Sequence, residues 1–162
     1  MTVTKEQKDF MLDNIGFLLG KSCYIKDRLL DQHLIPEDIT STQAKVLFQI
    51  YHFRLNRPSE IGKSLNVDNS AITRMLDRLE KKSLIERVPD PTDRRSQIIH
   101  LTPTGSSVVE RSLPLAKSAI DELTQALSKQ EIEQFRHCLI KIVTSKIPEN
   151  CQKKYLKGTD PE

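Results

Sequence analysis

The chain has 162 residues, a length that suits one domain with helical extensions, and its 37 % hydrophobic and 29 % charged residues suit a core with a charged surface. The formal net charge of +3 is too small to indicate a nucleic-acid partner by itself, so the positions of the cations matter more than their number. Trp is absent and aromatic residues make up 5 %, which argues against a stacking platform for single-stranded nucleic acid.

Membrane and secreted classes are also disfavoured. No apolar run approaches the ~20 residues needed to span a bilayer, and the N-terminal residues lack the basic and apolar regions of a secretory signal. The three cysteines, Cys23, Cys138 and Cys151, are odd in number and widely spaced, which fits a reducing compartment rather than a disulfide framework. We therefore expect a cytoplasmic protein with no membrane partner.

The first part of the chain is predicted to form one helix, which runs from about Phe10 to Leu34. Apolar residues recur there at helical spacing. Pro36 follows, and proline prevents the helix from continuing smoothly.

Three helices are predicted next. Thr40 with Gln43 three residues later matches a capping box, which begins a helix. Pro58 occupies the first position of a second, short helix. Asp68 is a good N-cap for a third helix over residues 69–82. The short second helix and the tight junction after it are typical of a helix-turn-helix unit.

A β-hairpin is predicted after the third helix, because residues 85–89 and 97–102 are rich in β-branched side chains and a polar loop joins them. The loop carries Arg94 and Arg95 beside Asp93. Adjacent arginines repel each other unless an anion meets them, and the DNA minor groove concentrates negative potential. A solvated charged turn is the alternative interpretation.

The third helix has a surface suited to the DNA major groove. Its predicted buried stripe consists of Ile72, Met75, Leu76 and Leu79. Its other faces mix short hydroxyls with charged side chains: Ser70, Thr73, Arg74, Asp77, Arg78 and Lys81. Short polar side chains let the backbone approach the groove, and arginine can bond a guanine edge bidentately. An ordinary amphipathic surface helix remains the alternative for this element alone.

Helices are predicted again after the hairpin, and their apolar stripes need a partner surface. Thr102 with Pro103, and Ser128 with Glu131, match helix starts. Burial between two subunits would cover the stripes and place two third helices in successive major grooves ~10 bp apart; packing onto the middle domain is the alternative. The predicted divisions are an N-terminal dimerisation helix, a winged helix-turn-helix DNA-binding domain, C-terminal dimerisation helices and a polar tail: 1–39, 40–102, 103–147 and 148–162.

The sequence resembles the MarR (multiple antibiotic resistance repressor) family from about Ile15 to Val143. The likeness is carried by TRMLDRLEKK at 73–82, DPTDRRS at 90–96 and LTPTG at 101–105. It implies a mainly α-helical homodimer with a small β-hairpin wing. It also implies a repressor that binds a palindromic operator and is released by a small aromatic or phenolic ligand such as salicylate.

The resemblance also implies roles for individual residues. Thr73, Arg74 and Arg78 would contact the major groove with help from Gln43, and Arg95 would enter the minor groove. With the residues drawn from the exposed face and the loop, the predicted DNA-binding set is Gln43, Ser70, Thr73, Arg74, Arg78, Asp93, Arg94 and Arg95.

For a salicylate-like anion, the resemblance implies contacts from Pro58, Thr73 and Arg87, with the ligand carboxylate paired to Arg87. Arg87 could equally serve a DNA phosphate or be a solvated strand residue. Ser83 departs from the family, which usually has glycine after the third helix. Serine tolerates the left-handed conformation poorly, so we expect a strained or altered helix end.

Other functions stay open or are disfavoured. A DNA-binding protein without an effector is not separated from a ligand-responsive repressor. A redox or metal sensor would use Cys23 or Cys138, but we expect both thiols to be buried and inert. The four histidines are scattered, and the chain has no glycine-rich phosphate loop, so we expect neither an enzyme nor a cofactor, and assign no catalytic residue or metal ligand.

Overall fold

The computed structural model of the chain describes residue 4 and residues 10–91 and 96–146. It contains a short 3-10 helix, Ile35–Glu37, besides the main elements. These are α1 (Ile15–His33), α2 (Ser41–Phe53), α3 (Pro58–Leu65), α4 (Asn69–Lys81), β1 (Ile85–Pro89), β2 (Gln97–Leu101), α5 (Pro103–Leu123) and α6 (Lys129–Lys146). The mainly helical fold with a two-stranded wing is therefore confirmed.

The start of α1 differs from the prediction of one helix beginning near Phe10. Residues 10–13 are helical, but Asn14 is extended and interrupts them. Its side-chain oxygen accepts a hydrogen bond from Phe17 N at 2.9 Å, so Asn14 is the N-cap of a new helix. The periodic apolar pattern concealed this boundary, because an N-cap changes the backbone without breaking the spacing of apolar residues.

The predicted helix starts in the middle of the chain are confirmed. The capping box of α2 is complete: Gln43 N donates to Thr40 Oγ1 at 3.2 Å, and Thr40 N donates to Gln43 Oε1 at 3.0 Å. Asp68 caps α4 by accepting from Ala71 N at 2.8 Å. Pro58 is the first residue of α3.

The hydrophobic core before residue 124 lies where α2, α3 and α4 pack against the hairpin. Ile72, Leu76 and Leu79 of α4 are buried, whereas Met75 is only half-buried, so the predicted stripe is largely confirmed. Leu47 of α2 and Ile99 of β2 are also fully buried. Burial of such side chains contributes about 1.5–3 kcal/mol each, which fixes the orientation of α4.

The two strands pair in antiparallel register from Ile85 opposite Leu101 to Pro89 opposite Gln97. Beyond the last pair, Asp90 N donates to Ser96 O at 3.0 Å and closes the base of the loop. The predicted contact residues of the loop, Asp93, Arg94 and Arg95, lie outside the described residues.

The junctions at the two ends of the wing are tightly bonded. Ser83 has φ 56°, so of the two expected outcomes, a strained or an altered helix end, the structure has the strained one, with serine in the left-handed conformation. Thr102 Oγ1 donates to Ser83 O at 2.7 Å and accepts from Gly105 N at 2.9 Å. A Cβ on Gly105 would lie 1.9 Å from Leu84 O, so only glycine fits in the first turn of α5.

A second unit begins at Thr124, and the structure describes it as far as Lys146, which includes α6 and the residues that lead into it. Its N-terminal capping box is confirmed, because Glu131 N donates to Ser128 Oγ at 3.3 Å and Ser128 N donates to Glu131 Oε2 at 2.8 Å. Within the described ranges, no helix combines the length and apolarity that a bilayer crossing requires.

Apolar side chains remain uncovered on the helices that flank the winged domain. Those on α1 that are more than one-third exposed are Ile15, Phe17, Leu18, Leu19, Tyr24 and Ile25. Those on α6 are Ile132, Phe135, Ile140, Ile142 and Val143. Contiguous apolar surface of this kind typically marks an interaction site.

Candidate nucleic-acid interface

The outer face of α4 gathers the cations and hydroxyls that the sequence assigned to DNA. Ser70, Thr73, Arg74 and Arg78 are all exposed, while the opposite face of the helix is buried. The amphipathic pattern and the Asp68 cap explain why the helix forms here and why this face points away from the core.

Local bonds organise the first turn of this face. Ser70 Oγ donates to Asp68 Oδ1 at 2.6 Å, and Thr73 Oγ1 donates to Asn69 O at 2.7 Å. The Ser70 hydroxyl and the backbone N–H of Ala71 hold the pKa of Asp68 below its usual value, so the cap stays ionised. A charged cap at a helix N-terminus is favourable, because the helix dipole is positive there.

The two arginines of this face, Arg74 and Arg78, make no strong contact with the described residues. Arg74 Nη2 makes only a marginal 3.5 Å contact with Ser70 Oγ. Among the described residues, neither Arg74 nor Arg78 forms an ion pair. Arginines elsewhere in the fold do so, such as Arg111, whose Nη2 lies 2.8 Å from Glu37 Oε2. An exposed guanidinium without a carboxylate partner can pair with a phosphate or a base edge.

Gln43 occupies a different environment from the other predicted contacts. Only 7 % of the residue is exposed, and its amide oxygen is held by the capping box of α2. It nevertheless lines the same cleft of about 530 Å³ as Arg74 and Arg78. The structure therefore brings the start of α2 and the outer face of α4 together.

The lysines at the end of α4 are not equivalent. Lys82 Nζ donates to the backbone oxygen of Asp38 and lies 2.9 Å from its Oδ2. This contact ties the end of α4 to the segment before α2. Lys81 is exposed and makes no ion pair within the described part of the chain, so it is the lysine that remains available to a phosphate.

Arg87, predicted as the partner of a ligand carboxylate, already contacts acidic side chains. Its Nη2 lies 2.6 Å from Asp77 Oδ1, and its Nη1 lies 3.6 Å from Glu80 Oε2. Nη2 also lies 3.5 Å from Thr73 O. The side chain is 18 % exposed, so Arg87 joins β1 to α4. Sequence reasoning missed this role, because no local pattern links a strand arginine to a helix carboxylate.

The other two predicted ligand contacts share a cleft. Pro58 and Thr73 line a cavity of about 490 Å³ between α3, α4 and the wing strands, and Arg87 is not among the residues that line it. The structure thus brings Pro58 and Thr73 together and places Arg87 beside α4.

A second arginine that sequence reasoning missed lies at the base of the wing. Arg57 Nη2 is 2.5 Å from Asp90 Oδ2, and the Asp90 side chain is only 1 % exposed. Ile99 N of β2 donates to Asn56 O at 2.7 Å beside this pair. The start of α3 and the hairpin are therefore held together by an ion pair and a backbone hydrogen bond.

The expectation of buried cysteines was wrong. Cys23 on α1 and Cys138 on α6 are both exposed, because each lies on a helix whose outward side chains no element of its own unit covers. In the part of the chain that the structure describes, no three His, Cys, Asp or Glu side chains gather closely enough to hold a metal ion.

Comparisons with known proteins agree with this geometry. The MarR family model matches residues 39–97. The multiple antibiotic resistance protein MarR of Salmonella typhimurium is 42 % identical over 130 residues, which cover 77 % of this chain and 90 % of that protein. Wild type MarR (apo form) from E. coli has a TM-score of 0.75 and 38 % identity, covering 80 % of this chain and 96 % of its own.

A DNA complex is among the similar solved structures. A mutant MarR from E. coli complexed with operator DNA has a TM-score of 0.69 and 38 % identity, and the match covers 79 % of this chain and 92 % of that chain. The similarity therefore extends over nearly the whole of these relatives. The chain belongs to the MarR family and is a DNA-binding transcription regulator.

Proposed function

We propose that the protein is a homodimeric repressor that binds a palindromic operator and is released by a small aromatic carboxylate such as salicylate. The observation that carries the DNA-binding part is the outer face of α4, where Arg74 and Arg78 are exposed and make no ion pair among the described residues. Thr73 and Ser70 on the same face are short enough to let the backbone approach a base edge.

Base recognition is assigned to α4, with Gln43 assisting, and minor-groove contact to Arg95, beside Asp93 and Arg94 in the loop. Phosphates attract all cations, but only base contacts distinguish sequences. Lys81 is therefore a phosphate contact in this proposal, and Arg74 is the principal reader of the sequence.

The dimer is supported by the apolar surface of α1 and α6. Side chains such as Phe17 and Phe135, each 44 % exposed, are of the kind that a two-fold interface buries. The symmetry that buries these faces would also present two copies of α4 to successive major grooves, which explains a palindromic site.

Release by a ligand is assigned to the cleft that Pro58 and Thr73 line. Arg87 does not line this cleft, but its Nη2 lies 3.5 Å from Thr73 O and 2.6 Å from Asp77 Oδ1, so a ligand carboxylate that passes Thr73 would compete with Asp77 for the guanidinium. Because this pair joins β1 to α4, exchanging the partner would favour another position of α4. The ligand would then shift the population of dimers away from the DNA-binding arrangement.

The DNA-binding part is tested by selecting bound sites from a random duplex pool and titrating the selected site. Arg74→Ala is expected to weaken operator binding by about 1–3 kcal/mol and to relax the preference at one base position. Lys117→Ala is the control, because it removes an exposed cation from α5, which has no assigned DNA contact. An equal loss for Arg74→Ala on random duplex would show that Arg74 contacts only phosphate.

The ligand-response part is tested by titrating the operator complex with salicylate. Wild-type protein should release the operator. Arg87→Gln should bind the operator more weakly without ligand, because the pair with Asp77 is lost, and salicylate should change its affinity to a smaller degree. Operator affinity that is unchanged at every salicylate concentration would instead favour a regulator without this effector.

A further inference from the structure

Two adjacent acidic residues between α1 and α2 contact cations from two different helices. Glu37, the last residue of the 3-10 helix, accepts hydrogen bonds from Arg111 of α5. Asp38, the next residue, accepts from Lys82 at the end of α4. Glu37 and Asp38, together the acidic turn, therefore connect α5 to the helix that carries the candidate base contacts.

The contact of the acidic turn with α5 is bidentate. Arg111 Nε donates to Glu37 Oε1 at 2.9 Å and to Glu37 Oε2 at 3.0 Å, and Arg111 Nη2 donates to Glu37 Oε2 at 2.8 Å. The Glu37 side chain is only 10 % exposed. A planar guanidinium that bonds both oxygens of a carboxylate fixes their mutual orientation as well as their distance. Glu37 and α5 are therefore held in one defined geometry.

The contact of the acidic turn with α4 uses both the backbone and the side chain of Asp38. Lys82 Nζ donates to Asp38 O and, at 2.9 Å, to Asp38 Oδ2. Lys82 is the C-cap of α4. Its ammonium group therefore joins the end of this helix to the acidic turn, although the sequence alone offered it no such partner.

The acidic turn is short and is anchored on both sides. Leu34 before it and Ile39 after it are buried. Glu37 N donates to Leu34 O at 3.0 Å, and Asp38 N donates to Ile35 O at 3.0 Å. A segment that is bonded internally and buried at both ends moves as one body. A displacement of α5 would therefore move both carboxylates together and carry the end of α4 with them.

We propose that Arg111 and Lys82 are positioning residues for operator recognition, which act through the acidic turn to hold α4 at the angle that base contacts require. This inference rests on the proposed reading of bases by α4. Base contacts need a defined geometry, whereas the attraction between cations and phosphates tolerates a displacement. Loosening the acidic turn should therefore weaken the operator complex much more than the complex with random duplex.

The first test measures the affinity of the full chain for the operator and for a random duplex of equal length. Arg111→Gln should weaken operator binding about threefold to tenfold and leave the affinity for random duplex within about twofold. Lys117→Gln is the matched control, because it also removes one positive charge from α5, where Lys117 is 78 % exposed and pairs with Asp121. An operator loss no larger than that of the control, or equal losses on both duplexes, would overturn the proposal.

Asp38→Asn separates positioning from a direct contact of Lys82 with phosphate. Asparagine tolerates the left-handed conformation, φ 51°, but it lacks the charge that holds Lys82. The Asp38 side chain is 93 % exposed, so this variant should fold even if Arg111→Gln does not. Positioning predicts weaker operator binding with an unchanged slope of log K against log salt. If Lys82 contacts phosphate, freeing it should instead strengthen binding to both duplexes and steepen the slope. That result, or an unchanged operator affinity, would refute the positioning role.

A double-mutant cycle tests whether the two contacts act through one turn. Arg111→Gln with Asp38→Asn should weaken operator binding by less than the product of the two single losses, because the connection is broken only once. Single losses that multiply would show two independent effects and remove the shared role of the turn. Arg74→Ala distinguishes the two proposals. If it causes no operator-specific loss, base reading by α4 fails; if it does and Arg111→Gln does not, only the role of the acidic turn fails.

Discussion

Replacing Arg57 tests the contribution of the ion pair that joins α3 to the wing. Arg57→Gln leaves the Asp90 carboxylate, 1 % exposed, without the guanidinium that lies 2.5 Å from it. Removing one partner of a buried ion pair destabilises a protein by about 3–5 kcal/mol, because the other charge stays buried. The Arg57 side chain is 39 % exposed, so water screens part of the interaction. We therefore expect a loss of about 2–3 kcal/mol.

Urea denaturation at fixed protein concentration measures this loss, since the stability of the proposed dimer would depend on concentration. The urea concentration at the unfolding midpoint should fall, while the slope of the free energy of unfolding against urea concentration stays constant. Arg136→Gln is the matched control, because Arg136 Nη2 lies 2.6 Å from Glu133 Oε1 while both side chains are more than half exposed. The free energy of unfolding of that variant should fall by less than about 0.5 kcal/mol, because exposed ion pairs contribute little to stability.

A double-mutant cycle separates the pair from other effects of the substitution. Arg57→Gln with Asp90→Asn should be more stable than Arg57→Gln alone, because asparagine removes the buried charge. Two results would refute the reasoning: equal losses for Arg57→Gln and Arg136→Gln, or a double variant that is less stable than Arg57→Gln.

Three further predictions concern the helix ends and the dimer. Ser83→Gly should stabilise the protein by about 0.5–1 kcal/mol in the same urea assay, because glycine adopts φ 56° without strain; Ser83→Ala should give no gain, and if it does, strain is not the cause. Gly105→Ala should destabilise by more than about 3 kcal/mol, because its Cβ would meet Leu84 O at 1.9 Å. Gly20→Ala, which meets no atom within 4 Å, should not be destabilising. Leu123 is the half-buried last residue of α5, one of the helices after the hairpin whose apolar stripes are predicted to need a partner surface. Leu123→Lys should dissociate the proposed dimer in sedimentation; a variant that stays dimeric would argue against that interface.

Sequence reasoning succeeded where the determinants are local. The capping box of Thr40 and Gln43 and the Asp68 cap each depend on residues a few positions apart. The amphipathic surface of α4 also follows directly from helical periodicity.

The interactions that the sequence did not predict depend on tertiary packing. The partners of Arg57 and Arg87 lie on other elements, so their carboxylates become neighbours only after the hairpin has packed against α3 and α4. A sequence shows which residues are charged but not which of them form ion pairs. Arg87 could therefore be interpreted as an unpaired arginine that binds a ligand carboxylate, although it contacts Asp77 and Glu80. The exposure of Cys23 likewise depends on which helices pack beside it within one chain.

The hydroxyl of Thr102 couples the end of α4 to the start of α5. Thr102 Oγ1 is bonded to Ser83 O just after α4 and to Gly105 N in the first turn of α5. A tilt of α5 about that turn would carry the threonine with it and pull on the last turn of α4. The helix that follows the wing and the helix that carries the candidate DNA contacts are thus joined through this threonine, so a small rotation of α5 could change the orientation of α4 without passing through the hydrophobic core.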